Sequence, residues 1–212
     1  MEFKRKKIGF LRGSVIREDG KVDVEKLENL LNWKEPFVKA FALGVVREFR
    51  LKEFAGQARI LAYHKDVRVR ANAIEALGVI GDPARDCQII QKGLNSKDRR
   101  VVAASFKVLS LWDPEKTVEY LERMYEASSK GKLSAILKAI IVEKEAVKEW
   151  ILDKVEKETD EEIVYILLKT LLKAKCSYHD VERLRTLVKS VVFSFKVREL
   201  AYEIWLAPRF ST

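Results

Sequence analysis

The sequence predicts an all-α protein, an alpha-solenoid of about six stacked helical pairs. One apolar position recurs at intervals of 31 to 34 residues and is occupied in turn by Leu43, Ile74, Phe106, Leu137, Leu168 and Tyr202. A period this regular indicates an array of stacked units. The composition agrees, because nine Gly and four Pro in 212 residues, beside abundant Leu, Ala, Glu and Lys, favour helix over strand.

A continuous repeat without a linker predicts one elongated domain over residues 23–212, preceded by a basic leader at 1–22. With 48% apolar and 34% charged residues, the chain can bury a core. The leader holds seven basic and three acidic residues of a chain whose net charge is +9. Its apolar residues show no helical period, so a short hairpin, a cap over the first repeat and a flexible basic arm are all open.

Each repeat is predicted to consist of a first helix and a second helix. The helical pattern starts with Val24, Leu27 and Leu30, and Pro36 separates this first helix from its partner at 37–50. The later first helices are predicted at 53–63, 83–95, 114–127, 144–157 and 178–192. The later second helices are predicted at 66–81, 98–112, 130–142, 160–174 and 194–206.

Aspartates mark the predicted helix starts. Asp82-Pro83 and Asp113-Pro114 are 31 residues apart, and each places an N-cap carboxylate before a proline at the first helical position. Equivalent places at the start of second helices are predicted to be caps as well, namely Asp66, Asp98 and Asp160.

The segment from Asp66 to Gly81, DVRVRANAIEALGVIG, has the pattern D-x-x-V-R-x-x-A-x-x-A-L-x-x-I-G. This pattern closely resembles the second helix of a HEAT repeat, particularly the short type of phycobilin-lyase-like repeat proteins. Copies in register extend the resemblance over about residues 23–207. The resemblance implies a right-handed alpha-alpha superhelix of HEAT-like pairs whose second helices line the concave face. It implies no function, because such solenoids serve many roles.

The conspicuous Arg70 of this segment is interpreted as part of the scaffold. Its position is basic in two other copies and apolar in three, which hold Lys39, Arg198, Val102, Leu133 and Val164. An Asp-to-Arg ladder between neighbouring repeats, if this chain has the one found in the family, would therefore be interrupted in the middle.

Catalysis has little support in the sequence. His64 and His179 are the only histidines, and a zinc site at Cys176 and His179 would lack further ligands. No glycine-rich phosphate loop, G-x-S-x-G or H-E-x-x-H motif occurs. The sequence therefore predicts a non-enzymatic protein with no metal, no cofactor and no small-molecule substrate.

Cysteine use and hydropathy predict a cytoplasmic protein without membrane association. Cys87 and Cys176 do not make a disulfide framework; Cys87 is expected in the core and Cys176 as a small apolar residue at a helix end. No apolar signal segment occurs near the start, and the apolar stretch from Ile163 to Leu172 is shorter than the roughly 20 residues that span a bilayer. Few Asn, Gln, Met and Cys beside many Lys, Glu and Arg give a thermophile-like composition.

The tryptophans are interpreted as core residues rather than as base-stacking platforms. Trp112 and Trp205 align with core positions of the Asp66 to Gly81 segment, whereas the assignment is weaker for Trp33 and Trp150.

The predicted binding face follows the position of Glu75. In successive second helices this position holds Gly44, Glu75, Lys107, Lys138, Lys169 and Glu203. Because packed helices lie about 8–10 Å apart, the three lysines would form a row across roughly 20 Å. The same helices are flanked by Arg99, Arg100, Lys130, Lys132, Lys173 and Lys175. A solvated face that keeps the array soluble is the alternative to a binding row.

The resulting functional hypothesis is a macromolecule-binding scaffold with a protein partner. Its binding residues are predicted to be Lys107, Lys138, Lys169, Arg100, Lys132 and Lys173. The alternative is nucleic-acid binding through the lysine row, since phosphates and carboxylates both bind cations at tolerant spacing. It includes the chemistry of the HEAT-like alkylpurine DNA glycosylases, for which Trp112-Asp113 is the nearest candidate, although Asp113 has the place of a helix cap. The sequence indicates neither the partner's identity nor the oligomeric state.

Overall fold

The structure is a computed structural model that describes residues 2–127, 129–140, 144–174, 176–185 and 193–206, with backbone alone for 2–7, Tyr178 and Trp205. The described residues form helices and no strand, which confirms the predicted all-α class. None of the described helices is both long enough and apolar enough to span a membrane. The helices are α1 (Glu2–Val15), α2 (Val24–Asn32), α3 (Pro36–Glu48), a short 3-10 helix (Lys52–Phe54), α4 (Ala55–Leu61), α5 (Val67–Ile80), α6 (Pro83–Leu94), α7 (Arg99–Trp112), α8 (Pro114–Ala127), α9 (Lys130–Ala139), α10 (Glu145–Lys157), α11 (Glu161–Leu171), α12 (Tyr178–Arg183) and α13 (Phe195–Leu206).

The leader contains a helix, α1, that its apolar pattern does not predict. Leu11 and Val15 lie four residues apart on one helical face and are both buried. Arg12 donates two hydrogen bonds to Glu48 of α3, at 2.9 and 2.6 Å. An isolated bridge between Ile16 and Val22 closes the turn that follows. Tertiary contacts therefore stabilise this helix, and the contacts of residues 8–22 are those expected of a cap.

The predicted N-caps are confirmed. Each aspartate carboxylate accepts a hydrogen bond from a backbone N–H of the first helical turn, at 2.9 Å from Arg68 to Asp66 and at 3.0 Å from Glu162 to Asp160. The same arrangement holds at three further helix starts, those of Asp82, Asp98 and Asp113.

The chain forms two compact units, and the first is Met1–Val108. In this unit α2 packs on α3, α4 on α5, and the second helices α3 and α5 pack on each other. The core is made by fully buried apolar side chains, among them Leu27, Leu43, Ile74 and Phe106. The helices thus contact each other in the order that stacked helical pairs produce.

The second unit is Leu109–Thr212. Its first helices pack in series, α8 on α10 and α10 on α12, and its second helices do the same, α9 on α11 and α11 on α13. Contacts of α10 with α11 and of α12 with α13 join the two series. Leu137, Ile151 and Leu168 are completely buried between them. The second unit therefore has a layer of first helices and a layer of second helices.

Among the described residues, three side chains lie elsewhere than the sequence predicts, and one of them is Trp112, which is half-buried and not in the core. Cys87 is exposed, not in the core, because the neighbouring Asp86 takes the inward position and receives Arg59 there. Trp33 is 52% exposed, because it lies after the last residue of α2 in extended backbone. Cys176 is buried as predicted. Trp150 is also buried, and the side chain of Trp205 lies outside the described residues.

Candidate functional site

Several charged side chains of the first helices form ion pairs with the neighbouring first helix. In the second unit, Lys148 of α10 lies 2.8 Å from Asp180 of α12, and both side chains are almost fully buried. Arg183 of α12 contacts three carboxylates of α10, and Lys154 of α10 contacts Glu122 of α8 at 2.5 Å. These pairs join successive first helices, so the carboxylates that take part in them are structural.

The first unit has an equivalent contact between α4 and α6. Arg59 donates to both oxygens of the Asp86 carboxylate, at 2.6 and 3.1 Å, and the side chain of Asp86 has no exposed surface. The backbone N–H of Asp82 donates to the same carboxylate at 2.9 Å. Burial alone would raise the pKa of Asp86, but the hydrogen bonds from Arg59 and Asp82 hold it below its usual value.

At the position of Arg70, basic side chains donate to backbone carbonyls in the last turn of the preceding first helix or in the loop that follows it. Arg70 donates to the backbone carbonyl of His64 at 2.9 Å, and Lys39, at the equivalent place, donates to that of Leu31 at 2.7 Å. Cations are favourable there because the last carbonyls of a helix lack intrahelical partners. Arg70 is therefore scaffold, as predicted. Asp66 pairs with Arg68 of its own helix, and Arg70 donates to the carbonyls of His64 and Lys65, so the described contacts of these two residues do not form a ladder to a neighbouring repeat.

Lys107, the first member of the predicted lysine row, is engaged within the first unit. Its ammonium lies 3.1 Å from the carboxylate of Glu75, which also binds Arg47. Burial and the neighbouring charge of Arg47 lower the pKa of Lys107. Glu75 and Lys107 occupy the same repeat position on successive second helices. The position that predicts the lysine row therefore also holds the carboxylate that pairs with its first lysine.

Lys138 and Lys169, the other two members of the row, are exposed and line one cavity in the second unit. This cavity has a volume of about 190 Å³ and lies between α9 and α11, where its wall is made by Lys138, Tyr165, Ile166, Lys169, Thr170 and Lys173. Lys173 donates to the backbone carbonyl of Lys138 at 2.6 Å. Partial loss of solvent around the Lys173 ammonium and repulsion from the charge of Lys138 lower the pKa of Lys173. Three lysines thus surround a small space with an apolar floor.

A fourth lysine, Lys196, contacts the ring of Tyr165 in the cavity wall. The ammonium of Lys169 lies 4.9 Å from the centre of the Tyr165 ring, and that of Lys196 on α13 lies 4.7 Å from it. Both distances are within the range of cation–π attraction. Among the described residues, none of Lys138, Lys169, Lys173 and Lys196 has an ion pair with a carboxylate. We call these four residues the basic face.

Two further residues of the predicted site lie outside the basic face. Arg100 is an exposed residue in the first turn of α7 in the first unit, and Lys132 is half-buried in the first turn of α9. The flanking Lys130 pairs with Asp160 at 2.5 Å, and the flanking Lys175 lies outside the described residues. The cavity therefore brings together Lys138, Lys169 and Lys173 of the predicted set. The sequence did not indicate Tyr165 in the cavity wall or Lys196, which contacts the ring of Tyr165.

Two groups of residues that could suggest metal binding or glycosylase activity have structural roles instead. They are a cluster of three carboxylates in the second unit and the Asp113 carboxylate. Carboxylate oxygens of Glu145, Glu149 and Asp180 lie close enough to hold a metal ion. The ammonium of Lys148 already contacts Glu145 at 2.9 Å and Asp180 at 2.8 Å, so a cation of the protein occupies this place. Asp113 accepts the backbone N–H of Lys116 at 2.9 Å, which is the cap that the sequence predicts.

Comparison with known proteins does not assign a family. No family model matches the chain, and no curated protein matches it either. The resemblance to HEAT repeats therefore depends on the repeat pattern of the sequence, which is compatible with the stacked helices seen within each unit.

Proposed function

We propose that the chain is a non-enzymatic scaffold, a HEAT-like solenoid whose second helices bind an acidic segment of a partner protein through the basic face. The supporting observation is the contrast, among the described residues of the second unit, between cations that are paired with carboxylates and four lysines of the second helices that are not. First-helix charges such as Lys148, Lys154 and Arg183 are paired with carboxylates. The four lysines of the basic face are not paired with any described carboxylate and remain available to a partner.

An acidic protein segment fits this face better than a nucleic-acid backbone does. Continuous phosphate contacts need several cations along a path, and Lys107 is already paired with Glu75. Apolar side chains next in sequence to the basic lysines are exposed, with 40% of Leu172 and 70% of Phe195 accessible. Interfaces between proteins combine apolar contacts with a polar rim. Nucleic-acid binding is the second candidate, and the sequence-predicted lysine column is its support.

The double variant Lys138→Glu/Lys169→Glu is expected to bind a labelled Glu-rich peptide about tenfold more weakly, or worse, because two attractive charges become repulsive. Fluorescence anisotropy at several salt concentrations measures the affinity. The matched control is Lys144→Glu with Lys157→Glu, which changes the net charge equally at two exposed lysines of the first-helix layer. The control and Lys107→Gln are expected to change the affinity by less than about twofold.

Two results would contradict this proposal. An equal loss of binding in the control pair would mean that the peptide responds to net charge alone. Tighter binding of labelled duplex DNA or single-stranded RNA than of the peptide, with a steep fall in affinity as salt rises, would indicate the nucleic-acid function instead.

A further inference from the structure

We propose that the cavity lined by Lys138, Lys169 and Lys173 receives a phosphoryl group, carried on a phosphorylated side chain of the partner segment. This inference rests on the proposed function, and it names the chemical group that the basic face recognises. It is carried by the number of ammonium groups at the cavity, by the size of the cavity and by the aromatic ring in its wall.

The number of cations exceeds what one carboxylate would balance. Three lysines line the cavity, and Lys196 reaches the same Tyr165 ring from α13. A phosphoryl group at neutral pH carries close to two negative charges and has three oxygens that accept hydrogen bonds. Charge-assisted hydrogen bonds from ammonium groups to such oxygens are stronger than neutral ones. One phosphoryl group could therefore contact several of these lysines, whereas a carboxylate has only two oxygens and a single charge.

The ammonium groups keep donors for a ligand. Lys173 uses one N–H on the backbone carbonyl of Lys138, and a lysine ammonium has further N–H groups to donate. This bond holds the Lys173 side chain at the cavity wall. The hydroxyl of Thr170 donates to the backbone carbonyl of Ile166 at 2.8 Å, and its residue is buried. The lysines are therefore the charged donors that the cavity offers.

The size of the cavity favours one side-chain group over a larger ligand. Its volume of about 190 Å³ lies below the roughly 300 Å³ at which pockets for drug-sized ligands begin. The side chain of Ile166 and the ring of Tyr165 form an apolar surface of the cavity. The methylene stem of a phosphorylated side chain can pack on this surface. A nucleotide would leave its base and sugar outside this space.

Tyr165 is a positioning residue in this arrangement. Its ring attracts the ammonium groups of Lys169 and Lys196 and limits the rotamers of two otherwise flexible side chains. Holding the cations in place before binding reduces the entropy lost when a ligand arrives. Tyr165→Phe keeps the ring, whereas Tyr165→Leu removes it, so the two variants separate the ring from the hydroxyl.

The test uses three labelled Glu-rich peptides that differ only at a central position, which is Ser, Glu or phosphoserine. We expect the phosphoserine peptide to bind about tenfold more tightly than the Ser peptide and clearly more tightly than the Glu peptide. In Lys173→Met the ratio of phosphoserine to Glu affinity is expected to fall toward one, and Lys157→Met is expected to keep the wild-type ratio. The ratio should survive in Tyr165→Phe and decrease in Tyr165→Leu. Circular dichroism checks that each variant is folded, and Lys138→Met replaces Lys173→Met if the latter is not.

The outcomes separate this inference from the proposed function. Equal affinities for the phosphoserine and Glu peptides would overturn the phosphoryl site and leave the acidic-segment scaffold standing. A ratio unchanged in both Lys173→Met and Lys138→Met would place phosphoryl recognition away from this cavity. Absence of binding to all three peptides would overturn the proposed function itself, and tighter binding of labelled duplex DNA than of the phosphoserine peptide would assign the lysines to a nucleic-acid backbone.

Discussion

Asp180→Ala is expected to lower the free energy of unfolding by about 3 kcal/mol, because it removes the buried partner of Lys148 and leaves that ammonium with the exposed carboxylate of Glu145 alone. The Lys148 side chain is 8% exposed and that of Asp180 is 3% exposed. Asp180 also accepts the backbone N–H of Ser177 at 2.5 Å and completes a capping box at the start of α12. One substitution therefore removes a buried ion pair and one of the two hydrogen bonds of the capping box. Urea denaturation followed by circular dichroism measures the loss.

The matched control for Asp180 is Glu182→Ala on the same helix. Glu182 pairs with Arg185 near the surface, and exposed pairs contribute at most about 1 kcal/mol. The double variant Lys148→Met/Asp180→Leu is expected to recover much of the stability, because an apolar pair has no desolvation cost. If Asp180→Ala were no more destabilising than Glu182→Ala, the buried pair would not hold α10 to α12.

The same carboxylate makes stability depend on pH. Burial alone would raise the pKa of Asp180, but Lys148 and the Ser177 N–H hold it below its usual value. Because the pKa is lower in the folded state, this contribution is complete above the unfolded pKa of about 4. It is lost as the pH falls through the lower pKa of the folded state. The wild-type protein should therefore lose more stability than Asp180→Ala does over that acidic range.

Asp86→Ala is expected to destabilise the first unit by about 3 kcal/mol. The estimate is at the low end for a broken buried pair because the Arg59 side chain is 22% exposed, so water can solvate part of the guanidinium that the substitution leaves unpaired. The change also removes the acceptor of the Asp82 backbone N–H. Urea denaturation at neutral pH measures the change.

The control for Asp86 is Glu48→Ala, which breaks another two-bond contact with an arginine. Arg12 and Glu48 are each 48% exposed, so this loss should be at most about 1 kcal/mol. Similar losses in the two variants would contradict the structural role assigned to Asp86.

Local sequence rules predicted most of the helices and their starts. Asp66 and Asp160 cap helices because a carboxylate next to orphan N–H groups is favourable in any tertiary context. The ion pairs of the first helices were not predicted, because Arg59 meets Asp86 and Lys148 meets Asp180 only after neighbouring repeats have packed. The leader helix α1 was missed for the same reason, since its stability comes from the burial of Leu11 and Val15.

The candidate site was predicted in part. The repeat register placed Lys138 and Lys169 at equivalent positions, and the structure has them line one cavity. Glu75 stands in the same column as Lys107, so opposite charges on adjacent second helices were a signal for the pair that engages Lys107. Tyr165 lies four residues before Lys169, a spacing that places both on one helical face. Lys196 could not be found this way, because its contact with Tyr165 depends on how α13 packs on α11.

We propose that the unpaired lysines of the basic face bind the partner, while the paired first-helix charges, such as Lys148 and Lys154, maintain the fold. Reductive methylation with a ¹³C label gives each accessible lysine an NMR signal and preserves its charge, and single Lys→Arg variants assign the signals. On titration with the Glu-rich peptide, we predict that the signals of Lys138, Lys169, Lys173 and Lys196 shift, and that those of Lys154 and Lys157 do not. Shifts at Lys154 and Lys157 with no change at the basic face would contradict the claim.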